Sequence, residues 1–199
     1  KVVAKILVTR HLQGALPEEI ERSVRPVAAI SPGVMGITGI ETGEIIKGIV
    51  DKLHPSLLIA IDALAARHSK RINAAIQMSD TGVAPGAGVG NRRMMLDEES
   101  LGIPVIAIGV PTVVDAATLV NDTMDRILGE MIQQTEKGSE FYETLHSLEQ
   151  EEKYQMIAEI LGPYTGNMFV TPKEVDAVVD RLANISANSI NIALHPGVT

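Results

Sequence analysis

The sequence predicts an α/β protein, with a mostly parallel β-sheet that carries helices on both faces and is followed by C-terminal helices. Short, largely apolar runs of strand length occupy residues 57–61, 72–78 and 103–108. They alternate with helical patterns through residue 132, which is typical of parallel sheets covered on both sides. Beyond them, residues 133–199 form a helical C-terminal part, so we expect a single α/β domain over residues 1–199.

Composition narrows the classes of function. Hydrophobic residues make up 45% and charged residues 21%, which is typical of globular proteins, and no apolar run approaches the ~20 residues of a membrane span. The 17 basic and 25 acidic residues give a net charge of −8, which disfavours direct nucleic-acid binding. We therefore expect a cytoplasmic protein that binds neither membranes nor nucleic acids.

Several catalytic site types have no support in the residue patterns. The absence of cysteine excludes disulfides, thiolate metal sites and a cysteine nucleophile. There is no G-x-S-x-G elbow, no P-loop lysine motif and no H-E-x-x-H pair. An isolated histidine could still bind a metal together with a carboxylate from another strand. The residue patterns favour neither a cofactor nor a bound metal.

The N-terminal part predicts two strands and a helix. Residues 2–8 and 26–30 are apolar runs of strand length. Thr38 and Glu41 have capping-box spacing, and the helix after them should stop before the His54–Pro55 pair. One face of this helix is apolar, comprising Ile45, Ile46, Ile49, Val50 and Leu53.

The central part places carboxylates directly after strands. The run at 57–61 ends at Asp62, where a short helix should begin, and the run at 72–78 is followed one residue later by Asp80. The carboxyl ends of parallel strands form the usual ligand crevice of such sheets. The next segment, residues 79–102, has five glycines, one proline and no clear periodicity, which is typical of either a functional lid or a disordered loop.

The C-terminal part predicts one more strand and three helices. After the strand at 103–108, Thr112 should open a long helix, and Asp115 has capping spacing from it. Ser147 and Thr171 should begin the second and third helices. In the first of these helices the expected inward side chains are Val113, Ala117, Val120, Met124, Ile127, Leu128 and Met131.

Each candidate residue has a purely structural alternative. Asp62 could cap the short helix predicted after it, or it could be a catalytic carboxylate with a second carboxylate or a metal nearby. Asp80 could be a turn residue, and Asp115 could cap a helix. The glycines of the GAGVGN string, Gly86 and Gly88 among them, lack the G-x-G-x-x-G spacing of a dinucleotide site. The residues alone leave these alternatives open.

Four long strings resemble the germination protease (spore protease) family of endospore-forming bacteria. The strings are SPGVMGITGIETGEIIKGIVDKL, LLIAIDALAARHSKRINAAIQMSDTGVAPGAGVGN, LGIPVIAIGVPTVVDA and MFVTPKEVDAVV. The resemblance covers nearly the whole chain and is weakest over residues 123–163.

This resemblance implies an endopeptidase that cleaves small, acid-soluble spore proteins during germination. It also implies a zymogen matured by removal of an N-terminal segment, a homotetramer, and a location in the cytoplasm of the spore core. The implied fold is similar to that of hydrogenase-maturation proteases, which is phosphorylase/hydrolase-like.

The resemblance further implies an atypical aspartic mechanism with two essential aspartates. One of them, in the AIDALA string, falls on Asp62. The other belongs to a motif upstream of the position of Lys1, so we expect this sequence to be a fragment that lacks half of the pair. Asp80, Asp115, Gly86 and Gly88 would then shape or support the cleft around Asp62.

Two rival interpretations remain at this point. The fragment could be an inactive structural or binding module, or it could come from a metal-dependent maturation protease on the same fold, with Asp62 as a ligand.

Overall fold

A computed structural model describes residues 1–86, 93–140, 143–144, 147, 150–166 and 168–197. The chain divides into two units, Lys1–His54 with Glu174–Thr199, and Pro55–Lys173. Strands and helices occur together in the second unit, so the predicted α/β class is confirmed. The single domain over residues 1–199 stays a prediction.

The first unit is helical in the residues that the structure describes. Its helices are α1 (Glu18–Glu21), α2 (Met35–Thr38), α3 (Thr42–Leu53) and α7 (Val175–Leu194), with short 3₁₀ turns at Val3–Lys5 and Arg10–Leu12. The predicted face of α3 is confirmed, since Ile46 and Val50 are buried. The helix also ends as predicted, because His54 adopts a left-handed conformation at φ 45° before the proline.

The strands predicted at residues 2–8 and 26–30 are wrong. The backbone of the first run is bound by a side chain of α7 instead of by a neighbouring strand. The Asn191 amide accepts the Leu7 N–H at 2.9 Å and donates to the Lys5 carbonyl at 3.0 Å. One side chain thus satisfies backbone groups that a sheet would otherwise pair.

The second unit contains the sheet. Its strands are β1 (Leu58–Ala65), β2 (Gln77–Ser79), β3 (Val105–Asp115) and β4 (Phe169–Val170), and its helices are α4 (Glu98–Leu101), α5 (Ala116–Gln134) and α6 (Gln150–Thr165). The central strand β3 pairs in parallel with β1 and antiparallel with β2 and β4. The described sheet is therefore mixed, and the predicted predominance of parallel pairing is not confirmed.

Both long strands run further than the sequence predicted. β1 continues through Asp62 to Ala65, because each residue up to Leu64 keeps its partner on β3. The helix predicted to begin at Asp62 is therefore wrong, since cross-strand pairing outweighs the helix propensity of the ALAAR string. Likewise β3 continues to Asp115, so α5 begins at Ala116 and not at Thr112.

The strand predicted at residues 72–78 is shorter than expected and begins at Gln77. Asn73 interrupts it, with a positive φ of 56° and an N–H that donates to the Pro111 carbonyl at 2.7 Å. A residue in the left-handed region ends an extended run. The turn at Asn73 thus replaces the first half of the predicted strand.

The face of α5 that was expected to point inward is partly exposed in this unit. The exposed fractions are 37% for Val120, 37% for Met124, 49% for Ile127 and 38% for Met131. The buried residues of the helix are instead Ala116 and Thr118, in its first turn. Periodicity correctly identified an apolar stripe, which the described residues of the second unit cover only in part.

The last helix begins later than predicted, at Val175, and Glu174 at its N-cap makes no side-chain hydrogen bond to the helix. The predicted cap, Thr171, instead donates its hydroxyl to the Thr112 carbonyl at 2.8 Å. In the described parts of the chain, no helix combines the length and the apolar character needed to span a membrane.

Asp122 of α5 holds the turn that follows β1. Its carboxylate accepts the Ser69 N–H at 2.6 Å and lies 3.4 Å from His68 Nδ1. Burial raises the pKa of Asp122, but the hydrogen bonds from Ser69 and His68 outweigh this effect. The net pKa is lower than the ordinary aspartate value of 3.8.

We expect Asp122→Ala to lower the free energy of unfolding at pH 7 by about 1–3 kcal/mol, because two hydrogen bonds to a charged group are lost. A lowered pKa means that the stabilisation is present above the unfolded value of 3.8 and is lost as the pH falls through the folded value. The difference in Tm between the variant and the wild type should thus narrow between pH 5 and pH 2. Glu130→Ala, at an exposed position of the same helix, is the matched control. A difference in Tm that is equally large at pH 7 and at pH 2 would contradict this account.

Candidate functional site

Asp62 lies within β1, an edge strand of the described sheet, opposite Gly109 of β3. The Leu58 N–H donates to the Pro104 carbonyl at 3.0 Å, so even-numbered residues of β1 direct their N–H groups toward β3. The Ala63 N–H therefore points to the outer edge of β1. Asp62 Oδ1 accepts it at 2.8 Å, which turns the half-buried carboxylate toward that edge.

A second N–H reaches the same carboxylate from the glycine-rich loop. Gly86 donates its N–H to Asp62 Oδ2 at 3.4 Å, and it does so from a positive φ of 75° that favours glycine. Each carboxylate oxygen of Asp62 thus has one backbone donor. Asp62 caps no helix, so the capping interpretation of this residue is wrong.

Gly86, one of the two glycines predicted to shape a cleft, therefore lies directly beside Asp62; its role in a cleft stays a prediction. The other glycine predicted to shape the cleft, Gly88, falls outside the described residues.

The loop that carries Gly86 is closed at its root by a pair of backbone hydrogen bonds. The Val83 N–H donates to the Leu96 carbonyl at 3.1 Å, and the Leu96 N–H donates to the Val83 carbonyl at 2.8 Å. Leu96 is only 3% exposed. The next residue, Asp97, caps α4 by accepting the Ser100 N–H at 2.8 Å, so the far side of the root is anchored on a helix.

Gly109 completes the site, and the sequence analysis did not single it out. A Cβ at this position would lie 2.1 Å from Leu64 Cδ1 and 2.7 Å from Leu64 Cγ. The Leu64 side chain therefore occupies the space over β3 that the missing side chain leaves, next to Asp62. The available signal was an isolated glycine inside an apolar strand, which often marks a close approach.

The other two predicted aspartates lie at different positions of the sheet. Because β2 is antiparallel to β3, Ser79 pairs with Ala107, and Asp80 follows it toward the beginning of β3. Asp115 is the last residue of β3, six residues beyond Gly109, which corresponds to a separation along the strand on the order of 20 Å. The structure does not gather the three carboxylates at one end of the sheet.

The surroundings of Asp80 and Asp115 are those of a turn and a helix cap. Asp80 is exposed, between Ser79 and Thr81, whose hydroxyl oxygens lie 2.5 Å apart. Asp115 accepts the Thr118 N–H at 2.8 Å and the Tyr154 hydroxyl at 3.4 Å. The helix-capping interpretation of Asp115 is thus confirmed. Asp115 is the N-cap residue of α5, whereas the sequence predicted that Thr112 opens this helix.

In residues 1–86, 93–140, 143–144, 147, 150–166 and 168–197, no three histidine or acidic side chains lie close enough together to hold a metal ion. The chemistry available at Asp62 is that of a carboxylate with an open edge beside it, which can accept a proton from a bound molecule.

Comparison with known proteins adds independent information. A family model described as germination protease matches residues 1–146 and 130–199. Curated relatives with the name germination protease include proteins of Clostridium perfringens, 58% identical over 198 residues, and of Clostridium tetani, 56% identical over 198 residues. Both alignments cover 100% of this chain.

A more distant relative of the same name, from Bacillus mycoides, is 47% identical over 225 residues and covers 98% of the chain. The chain spans 61% of the length of each of these three relatives.

Proposed function

The chain belongs to the germination protease family, and on this premise we propose that its protein is an endopeptidase that begins the degradation of small, acid-soluble spore proteins during germination. The relatives named above share the whole length of the chain, including the strand that carries Asp62. The single observation that carries the proposal is the Asp62 carboxylate, held by two backbone N–H groups at an open strand edge.

Asp62 is proposed to act as the general base of a carboxylate pair. Two carboxylates held side by side share one proton, because both cannot be ionised at short distance. The charged member takes a proton from water as the water oxygen bonds to the scissile carbonyl carbon, and the protonated member donates to the carbonyl oxygen. The tetrahedral species then collapses, with a proton transferred to the leaving nitrogen as the C–N bond breaks.

The second member of the pair is proposed to be the other aspartate of the family pattern, which belongs to a motif outside the present sequence. The outer edge of β1 is where such a group and an extended substrate could approach Asp62, because this edge has no strand partner among the described residues. The backbone donors from Ala63 and Gly86 satisfy one lone pair on each oxygen, which leaves the other lone pairs for water.

The roles of the remaining candidate residues are proposals of the same kind. Gly86 positions Asp62 directly, and Gly88 stays a proposed cleft residue on the family resemblance alone. Asp80 acts on the cleft only through the loop that it begins, and Asp115 only through the start of α5. Alanine variants of Asp80 and Asp115 that cleave at the wild-type rate would overturn the roles of these two residues.

Assembly, location and complete fold are proposed from the same resemblance. We propose a homotetramer in the spore core, matured from a zymogen. The partly exposed apolar stripe of α5 is available as a contact surface between subunits of this tetramer. Light scattering on the full-length protein measures the mass of the assembly and so tests the number of subunits. The parallel pairing of β1 with β3 supports a fold like that of hydrogenase-maturation proteases for the whole protein.

The proposed activity is tested by incubating the purified full-length protein with a purified small, acid-soluble spore protein. We expect cleavage at one or a few internal peptide bonds, which mass spectrometry of the fragments identifies. An unrelated unfolded protein is the control, and it should remain intact. No cleavage of the spore protein, or stepwise removal of terminal residues only, would contradict an endopeptidase.

A further inference from the structure

We propose that Gly82 is a positioning residue for the reaction, because it allows the root of the glycine-rich loop to close and thereby sets the Gly86 N–H on the Asp62 carboxylate. This inference rests on the proposed catalytic role of Asp62.

The space around Gly82 leaves no room for a side chain. Its φ is +82°, and a Cβ on it would lie 2.3 Å from the Leu96 carbonyl oxygen and 2.8 Å from Asp97 Cβ. Real Cβ atoms do not approach other heavy atoms this closely, and one of these neighbours is backbone, which moves only with its whole segment. A side chain at position 82 would therefore push the two sides of the root apart.

The far side of the root, Leu96 and Asp97, resists such a displacement. Leu96 is 3% exposed, and it is bound to Val83 by the two hydrogen bonds at 3.1 and 2.8 Å. Asp97 exchanges hydrogen bonds with Ser100 at the start of α4, and the bond from the Ser100 N–H lowers the pKa of its carboxyl. The near side, which carries Val83, is thus the side that must move.

A movement of Val83 is transmitted to Asp62 through a short segment of the loop. Only Ala84 and Pro85 lie between Val83 and Gly86, and the ring of Pro85 fixes its φ. The bond from Gly86 to Asp62 Oδ2 is 3.4 Å long, so a further shift of about 1 Å would break it. Without this donor, Oδ2 loses the contact that fixes the carboxylate relative to the outer edge of β1.

The test is Gly82→Ala in the full-length protein. We expect kcat for spore-protein cleavage to fall roughly 10–100-fold while KM stays within about threefold, because a displaced catalytic group affects the reacting geometry more than substrate binding. Hydrogen exchange of the Gly86 amide should become about 10-fold faster, a change that a loss of stability elsewhere would not confine to this amide.

Gly102→Ala is the matched control for Gly82→Ala. Gly102 has a similar φ of +69°, but a Cβ there meets nothing within 4 Å. The control therefore has the same backbone strain without the clash, and its kcat should stay within about twofold of the wild type. Equal losses of kcat in the two variants would overturn the inference.

A second measurement keeps the inference testable if Gly82→Ala does not fold. Removal of the acceptor in Asp62→Ala should also speed exchange of the Gly86 amide, and an unchanged exchange rate would overturn the positioning contact. The two proposals fail separately. Suppose that the Gly86 amide exchanges faster in both Gly82→Ala and Asp62→Ala, but Asp62→Asn retains activity. The positioning link then stands, and the catalytic role of Asp62 fails.

Discussion

Asp62→Asn in the full-length protein is expected to lower kcat for spore-protein cleavage by about 10²–10⁴-fold, with KM changed by less than about threefold. Asparagine has nearly the same shape, and its single carbonyl oxygen can still accept the Ala63 N–H, but the amide nitrogen in the place of Oδ2 cannot accept the Gly86 N–H. It cannot take a proton from water, so the substitution removes the proposed base and retains the fold of the strand. Steady-state kinetics on a purified spore protein measures the effect.

Asp51→Asn is the control for this substitution, because Asp51 is an exposed aspartate on α3. Its kcat should equal that of the wild type, and the Tm of both variants should lie close to the wild-type value. Turnover by Asp62→Asn at near the wild-type rate would show that this carboxylate is not the base.

Gly109→Ala is expected to lower the free energy of unfolding by about 1–3 kcal/mol, because overpacking a filled space forces neighbouring side chains out of their rotamers. The added Cβ would lie 2.1 Å from Leu64 Cδ1, so the Leu64 side chain must leave its place over β3. Urea unfolding monitored by circular dichroism measures the change.

Two further variants separate the clash at Gly109 from a general effect of alanine. Gly129→Ala, in the middle of α5 with nothing within 4 Å of its Cβ, should instead stabilise the protein by about 0.5–1 kcal/mol. In the double variant Gly109→Ala/Leu64→Ala the clash is absent. Its loss of unfolding free energy should therefore be smaller than the sum of the losses in the two single variants. Strict additivity would contradict the proposed contact.

The features that the sequence predicted correctly depend on local signals. The buried face of α3 and its end at Leu53 follow from apolar spacing and from the proline after His54. The capping role of Asp115 likewise involves Thr118, only three residues away. Family membership was predicted from long matching strings, and the comparisons confirm it.

The features that the sequence did not predict depend on distant residues. The strand through Asp62 continues because β3 pairs with it, although the ALAAR string by itself favours a helix. The run at residues 2–8 forms no strand, because Asn191, more than 180 residues away, binds its backbone. Antiparallel pairing of β2 likewise placed Asp80 away from Asp62, and no periodicity in the chain indicates strand direction.

The contact from Gly86 to Asp62 is the clearest case in the site itself. The two residues are separated by 24 positions, and the bond exists because the loop root closes between Val83 and Leu96. The glycines led to the prediction of a functional lid or a disordered loop, but only the folded backbone shows which amide reaches the carboxylate.

The most direct test of the central claim is a crystal structure of the full-length protein with a substrate-derived peptide whose scissile bond is replaced by a hydroxyl-bearing tetrahedral isostere. If Asp62 is the catalytic base, its carboxylate will lie about 2.6–3.2 Å from that hydroxyl, with a second carboxyl group on the other side. An isostere hydroxyl that binds other groups and lies more than about 5 Å from Asp62 would contradict the account, because no proton could pass directly between them.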